Sequence, residues 1–183
     1  MKISAIDTRQ DLYLIENILP DSLLQDIAQE QVENYEWELQ EGQEAWKRRK
    51  LILPASSNLN LVDKYLNEIR HTIASKIGVV WHEYDCWSSF WLDFPGFTTD
   101  VHLDGFLPCA MQLYLGQNTT DIGTVFYYNN VVPLQIRYKF EYKPNTGYLM
   151  LNNDKQWHGM LKPVPKDTFR LSSYTYFGTF DTK

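Results

Sequence analysis

The hydrophobic pattern of this chain changes its period at Gly78, and this change constrains the fold more than any other feature. Before Gly78, apolar residues recur at helical spacing along 60–77, and Gly78 itself is a typical C-terminal helix stop. A shorter helix is predicted to open at Pro20-Asp21-Ser22, where Ser22 and Gln25 have capping-box spacing, and its apolar stripe runs from Leu23 to Val32. Residues 12–15 predict a short strand. The first part of the chain is therefore predicted to be mainly helical.

After Gly78 the apolar residues alternate with a period of two, which indicates strands. Turn-forming runs rich in Pro, Gly, Asn and Asp separate the candidate strands. These strands are predicted at Val79–Tyr84, Cys86–Phe94, Thr98–Leu103, Cys109–Leu115, Thr124–Tyr128, Gln135–Tyr142, Tyr148–Leu151, Trp157–Leu161 and Phe169–Gly178. Many short strands at this spacing favour a sandwich or barrel. The prediction is an α+β fold, with a double-stranded β-helix (jelly-roll) core over 79–183 and two supporting N-terminal helices within 1–78.

The length and composition fit one globular domain over 1–183. The chain has 183 residues, with 44% hydrophobic and 22% charged, which is enough for a well-filled core and argues against disorder. The net charge of -6 argues against nucleic acid or an anionic membrane as partner, which leaves a small molecule or a peptide.

One basic cluster, Lys47–Lys50, departs from the acidic balance. It lies in the polar stretch 38–53, which predicts an irregular loop or an edge segment, and the cluster is expected to be solvated or to act as a local steering patch. Cys86 and Cys109 match no metal or redox spacing and are expected to be buried free thiols. With no apolar run near membrane-spanning length and no signal-like N-terminus, the expected location is the cytoplasm.

Two of the four histidines, His102 and His158, are candidate metal ligands. His102-Leu103-Asp104 places an imidazole and a carboxylate two residues apart, and on an extended strand both side chains project to the same face. His158 lies on another predicted strand. We call His102, Asp104 and His158 the metal triad, because two imidazoles and one carboxylate form the facial triad of non-haem Fe(II) oxygenases. His71 is predicted to lie on a helix surface and His82 to be structural.

Two other functions are compatible with the metal triad. A hydrolase or isomerase could hold zinc or another divalent ion with the same ligands and give Arg170 no special role. Alternatively, the triad could be accidental in a non-catalytic jelly roll that binds a sugar or another ligand.

Arg170 begins the last predicted strand, and Ser172 shares its strand face by the same period-two rule. A buried guanidinium needs an anion, and its planar fork suits a carboxylate. No acidic residue lies near Arg170 in the strand pattern, so a ligand carboxylate is the predicted partner. Pairing with a distant Asp or Glu is the alternative.

The metal triad followed by Arg170-x-Ser172 resembles the signature of the Fe(II)/2-oxoglutarate-dependent dioxygenase superfamily. The likeness extends over roughly residues 87–178. The strands predicted in this region are similar in order and character to those of the prolyl-4-hydroxylase-like branch. The segments that resemble that branch are 111–116 after the first metal ligands, 123–126 in the next strand, and 147–152 leading to Trp157-His158-Gly159.

The resemblance implies that the metal triad binds Fe(II) and that Arg170 and Ser172 hold the distal carboxylate of 2-oxoglutarate. Tyr114 occupies the place where this branch often has a tyrosine bound to the same carboxylate, although it could equally be a core aromatic residue. The implied reaction uses O2 and converts 2-oxoglutarate to succinate and CO2 while a substrate is hydroxylated. Ascorbate is a candidate reductant.

The substrate is the part of the function on which the sequence is least informative. Residues that flank the metal-bearing segments are candidates for the pocket wall, namely Trp91, Asp93, Phe106, Tyr127 and Trp157. Two departures from the branch, Asp121-Ile122-Gly123 in place of a double glycine and a very short loop after Asp104, put a prolyl substrate in doubt.

Overall fold

The structure is a computed structural model that describes residues 1–9, 11–38, 47–82, 86–105, 108–117, 120–151 and 155–182. Helix α1 spans Asp21–Ile27 and helix α2 spans Leu59–Ile77, with a 3-10 turn at Val32–Asn34 between them. As predicted, α2 ends at Gly78. The φ of Gly78 is 74°, a left-handed backbone conformation that glycine adopts with little steric strain because it has no Cβ. No helix in these ranges is long and apolar enough to cross a membrane.

Helix α1 is shorter than its apolar stripe suggests and lacks the expected capping box. It begins after Pro20 without a side-chain cap bond, and it ends before Val32, which is instead buried in the 3-10 turn. Propensity alone does not fix helix ends, because tertiary packing decides where the chain leaves the helix.

Most strands of the described ranges belong to one eight-stranded antiparallel sheet, whose order is β1-β2-β10-β7-β12-β6-β4-β3. Its strands are β1 (Lys2–Ala5), β2 (Leu12–Glu16), β3 (Trp37–Glu38), β4 (Arg48–Leu51), β6 (Trp87–Asp93), β7 (Cys109–Tyr114), β10 (Thr146–Leu151) and β12 (Arg170–Tyr176). A three-stranded sheet, β11-β8-β9, is formed by β8 (Val125–Tyr127), β9 (Ile136–Lys139) and β11 (His158–Gly159). Strands β5 (Val79–Trp81) and β13 (Phe180–Thr182) pair separately.

Two apolar cores hold these layers together. One contains buried residues of α2, such as Leu66, together with one face of the large sheet, including Met111 and Leu113. The other contains the opposite face of the large sheet and the small sheet, including Tyr148 and Phe126. Strand β7 is buried on both faces because it contributes alternate residues to each core. The predicted jelly-roll core with two supporting helices is therefore confirmed.

Two predictions about the strands are wrong. The segment 98–103 forms no strand, since its only ladder contact is an isolated bridge at His102. The basic segment 48–51 is a strand in the large sheet rather than a solvated loop, because Arg48 and Arg49 both pack their guanidinium groups over aromatic rings. Strand β1 was also not expected.

Candidate metal centre

The two histidines of the metal triad are brought together by a single antiparallel bridge. The backbone N–H of His102 donates to the carbonyl of His158 at 2.9 Å, and the N–H of His158 donates to the carbonyl of His102 at 3.0 Å. The two ring centroids are 4.5 Å apart. His158 also stacks on Phe126, with centroids 5.2 Å apart, so one face of its ring is fixed by packing.

Asp104 completes the triad from a loop rather than from the strand that the His-x-Asp spacing suggested. Its Oδ1 lies 3.3 Å from Nε2 of His102 and 3.5 Å from Nε2 of His158, and candidate ligand atoms of the three residues all lie within 4.8 Å of one another. Its Oδ2 accepts a hydrogen bond from Tyr174 at 2.8 Å. The carboxylate thus presents one oxygen to the histidines while the other oxygen is held in place.

Each histidine has its second ring nitrogen occupied by a backbone carbonyl. Nδ1 of His102 donates to the carbonyl of Asp100, and Nδ1 of His158 donates to the carbonyl of Gln156, both at 2.7 Å. A carbonyl can only accept, so Nδ1 carries a proton in each ring. Nε2 is therefore the nitrogen that faces Asp104, and in the neutral imidazole its lone pair is available to a metal ion. This outer bond is what orients a metal-binding histidine and fixes its tautomer.

Electrostatics favour an ionised carboxylate at this position. Burial alone would raise the pKa of Asp104, but hydrogen bonds with His102 and His158 outweigh it and hold that pKa well below its usual range. The same contact with Asp104 raises the pKa of His102. Burial, followed by the charge of Asp104, raises the pKa of Tyr174, so its hydroxyl stays protonated and able to donate.

The metal triad opens into a cavity of about 550 Å³, a size typical of small-molecule sites. The cavity contains polar, charged and aromatic groups. The described residues that line it are Arg48, Trp91, Thr99, Asp100, His102, Asp104, Gln112, Thr124, Tyr148, His158, Met160, Arg170 and Tyr174.

Arg170 lines this cavity, but it already has an acidic neighbour. Its Nε donates to Asp93 Oδ2 at 2.8 Å, and its Nη1 donates to the carbonyl of Ile122 at 3.1 Å. Asp93 faces Arg170 directly in the antiparallel pairing of β6 with β12. The structure therefore shows the alternative, pairing with a distant Asp, because strand pairing brings together residues that are far apart in sequence.

Asp93 also contacts Arg48, which lies opposite it on the other neighbouring strand, β4. Nε of Arg48 is 3.0 Å from Asp93 Oδ1 but is not aligned for a hydrogen bond. We call Arg48, Asp93 and Arg170 the arginine row. Asp93 was expected in the pocket wall; it is fully buried within the arginine row and is not among the described residues that line the cavity.

Ser172 and Tyr114, the other candidates for the 2-oxoglutarate site, lie one layer behind the cavity surface. Ser172 Oγ accepts a hydrogen bond from Gln112 Nε2 at 3.1 Å, and the Tyr114 hydroxyl donates to Thr124 Oγ1 at 3.0 Å. Gln112 and Thr124 face the cavity, together with Tyr148, whose hydroxyl donates to Gln112 Oε1 at 2.7 Å. Ser172 and Tyr114 thus support the polar wall from behind.

Among the substrate-pocket candidates, the structure places Trp91 on the cavity surface. Tyr127 and Trp157 are absent from the described lining and are joined to each other by a backbone hydrogen bond. Phe106 lies outside the described residues. Tyr174 was missed, although the period-two rule that linked Arg170 with Ser172 would also have placed Tyr174 on the same strand face.

The remaining histidines lie away from the cavity. His71 is on the exposed surface of α2, as predicted. His82 is half-exposed after β5 and forms a surface ion pair with Asp181 at 3.0 Å, which differs from the structural role expected for it.

Comparison with known proteins supports the fold but gives no match at the level of sequence. No protein-family model matches the chain, and no curated protein sequence matches it. A prolyl-4-hydroxylase from Pseudomonas putida is similar in structure, with a TM-score of 0.62, 18% identity and 92% of each chain covered. AviO1 from Streptomyces viridochromogenes Tue57 is also similar, with a TM-score of 0.58, 11% identity, and 96% of this chain and 93% of AviO1 covered.

These similarities confirm the resemblance to prolyl-4-hydroxylases at the level of the fold. They extend over 92% and 96% of the chain, respectively. A shared fold does not by itself define an activity, which depends on the residues of the site.

Proposed function

We propose that this protein is an Fe(II)- and 2-oxoglutarate-dependent dioxygenase that hydroxylates a small molecule or a peptide. The observation that carries this proposal is the metal triad: two imidazole Nε2 atoms and one carboxylate oxygen converge at the wall of a cavity that also contains two arginines. The shared fold with a prolyl-4-hydroxylase supports the same conclusion.

The donor set fits Fe(II) on chemical grounds. Two neutral imidazoles and one carboxylate suit non-haem iron, and three protein ligands leave further coordination positions for a co-substrate and O2. Because each Nδ1 donates to a backbone carbonyl, Nε2 is the nitrogen that each neutral imidazole would offer to the ion. The residues that would hold the ion are His102, Asp104 and His158.

The metal triad and the arginine row together suit a ligand with two carboxylates. Among the described residues, Arg48 and Arg170 pair with a single carboxylate, that of Asp93, so the arginine row carries an excess of one positive charge. A buried excess charge favours binding of an anionic ligand group. 2-Oxoglutarate has one carboxylate for chelation beside its 2-oxo group and a second carboxylate for such a cationic site.

When bound, iron with 2-oxoglutarate and O2 supplies the oxidation: the 2-oxo acid loses CO2 to become succinate, one oxygen atom enters succinate and the other enters a substrate C–H bond. The protein orients and shields the reactants. Tyr174 holds the outer oxygen of Asp104, and the buried wall of Gln112, Thr124 and Tyr148 limits the access of water.

The test is an anaerobic titration of the protein with Fe(II) and then with 2-oxoglutarate, followed by visible absorption. Chelation by the 2-oxo acid is expected to produce a metal-to-ligand charge-transfer band. The band should vanish in His158→Ala, which lacks an iron ligand, and weaken in Arg170→Ala, which lacks a cation for the distal carboxylate.

A folded, iron-loaded wild-type protein that gives no band would contradict the proposal. A zinc-dependent hydrolase would then be the better hypothesis if zinc bound at the metal triad. A non-catalytic jelly roll would be the better hypothesis if no divalent ion bound there.

A further inference from the structure

Arg48 lines the cavity, but it is not part of the motif formed by the metal triad and Arg170-x-Ser172. It comes from β4 in the N-terminal half, far in sequence from the metal triad and from Arg170. It nevertheless lines the same cavity, with only 17% of its side chain exposed. A cation is seldom buried to this degree without a partner for its charge.

The aromatic surroundings of Arg48 hold its guanidinium in one place. The guanidinium lies 4.7 Å from the ring centroid of Trp91 and 4.8 Å from that of Phe97. Stacking of this kind stabilises a guanidinium while leaving its in-plane N–H groups directed elsewhere. Arg48 is therefore fixed in position but not saturated with hydrogen bonds by these rings.

Asp93 cannot satisfy both arginines equally. It accepts a hydrogen bond from Arg170 Nε through Oδ2, whereas Arg48 Nε makes only an ion contact with Oδ1 and has no hydrogen-bond partner among the described residues. Burial lowers the pKa of Arg48, and the charge of Arg170 lowers it further. A ligand anion beside Arg48 would offset both the burial of its charge and the repulsion by Arg170.

We propose that Arg48 and Arg170 together hold the distal carboxylate of the 2-oxo acid, so that Arg48 makes the enzyme selective for a dicarboxylate over a monocarboxylate 2-oxo acid. This inference rests on the proposed function. The distal carboxylate then cancels the excess charge of the arginine row. The other carboxylate cancels the charge that Fe(II) retains after ligation by Asp104.

The experiment compares two 2-oxo acids on the Fe(II)-loaded protein under anaerobic conditions. 2-Oxoglutarate has the distal carboxylate and pyruvate lacks it, while both can chelate iron through the 2-oxo acid group. Dissociation constants are obtained from the charge-transfer band for the wild type, for Arg48→Met and for Arg48→Lys.

Arg49→Met is the matched control. Arg49 is the next residue on β4, and its guanidinium stacks on Trp37 and Phe94 rather than lining the cavity. A general effect of removing an arginine from this strand would therefore be seen in both variants.

The affinity for 2-oxoglutarate is expected to fall about 10- to 100-fold in Arg48→Met, as for loss of a hydrogen-bonded charge pair, with the affinity for pyruvate changing less than about twofold. Arg48→Lys should fall between Arg48→Met and the wild type, because it keeps the charge but not the planar fork. Arg49→Met should bind both acids like the wild type.

Unchanged 2-oxoglutarate affinity in folded Arg48→Met and Arg48→Lys would overturn the role of Arg48 and leave the proposed function intact. An equal loss for both acids would overturn it as well, because the effect would then be on the iron site. A wild-type protein that shows no band with either acid would overturn the proposed function itself.

Discussion

The metal triad and the arginine row share one cavity but are built in different ways. The triad stands on a two-residue strand, an isolated bridge and a loop, and the side chain of His102 is 42% exposed. The arginine row stands on three hydrogen-bonded neighbouring strands, and Asp93 is fully buried. The triad is oriented by local hydrogen bonds to carbonyls and Tyr174, whereas the row is fixed by the sheet.

The difference predicts how substitutions in each group affect the protein. His102 and Asp104 are partly exposed at the cavity, where an ion can enter, whereas His158 is buried against Phe126. The arginine row consists of charged side chains buried on the large sheet. Loss of one of them leaves the opposite charge of its partner uncompensated. Substitutions in the triad should therefore affect metal binding. Loss of the shared Asp93 should affect stability, in addition to the effect of Arg48 and Arg170 on binding of the 2-oxo acid.

The largest effect is expected for Asp93→Asn. The substitution leaves two buried guanidinium groups without their shared carboxylate, and the free energy of unfolding should fall by about 3–5 kcal/mol. Urea unfolding followed by circular dichroism measures this change. Asp121→Asn, which disrupts an exposed pair with Lys162, is the control and should unfold like the wild type. Equal stability of the two variants would mean that the row is not held by Asp93.

The second effect is expected for His102→Ala. Fe(II) affinity should fall by more than about 100-fold, since even outer-sphere partners of metal ligands contribute 10- to 100-fold. The free energy of unfolding of the metal-free protein should change by less than about 1 kcal/mol, because the side chain is well exposed. Competition with a chromophoric chelator gives the affinity. His82→Ala is a similarly exposed control, and iron binding that responded equally to both variants would contradict the assignment of His102.

A smaller effect is expected for Tyr174→Phe, which removes the hydroxyl that donates to Asp104 Oδ2. Fe(II) affinity should fall by about 10- to 100-fold, because the carboxylate loses the contact that orients it. Tyr176→Phe, two residues further along β12, should leave the affinity unchanged. If Tyr174→Phe bound iron as tightly as the wild type, Asp104 would be positioned by the histidines alone.

The same difference explains which features could be predicted from the sequence. The metal triad rests on local spacing and on a recognisable motif, and the jelly roll rests on the change of period at Gly78. The pairing of Arg170 with Asp93 was not predictable, because it depends on the register between β6 and β12. Neither motif nor period indicates which distant strand becomes a neighbour.

Strand β4 was missed for a different reason. Its basic residues suggest a solvated segment, but Arg48 and Arg49 alternate between two strand faces and each finds aromatic rings there. Conversely, 98–103 has the composition of a strand but only one ladder contact, at His102. Polarity therefore predicts the wrong structure for the first segment, and strand propensity does so for the second.

A crystal structure of the protein with Mn(II), a redox-stable substitute for Fe(II), and 2-oxoglutarate would test the proposed site directly. We expect the ion to be bound by Nε2 of His102, Nε2 of His158 and Oδ1 of Asp104. The distal carboxylate of 2-oxoglutarate should lie between Arg48 and Arg170. An ion bound elsewhere, or a 2-oxo acid whose distal carboxylate points away from the arginine row, would contradict the proposed site.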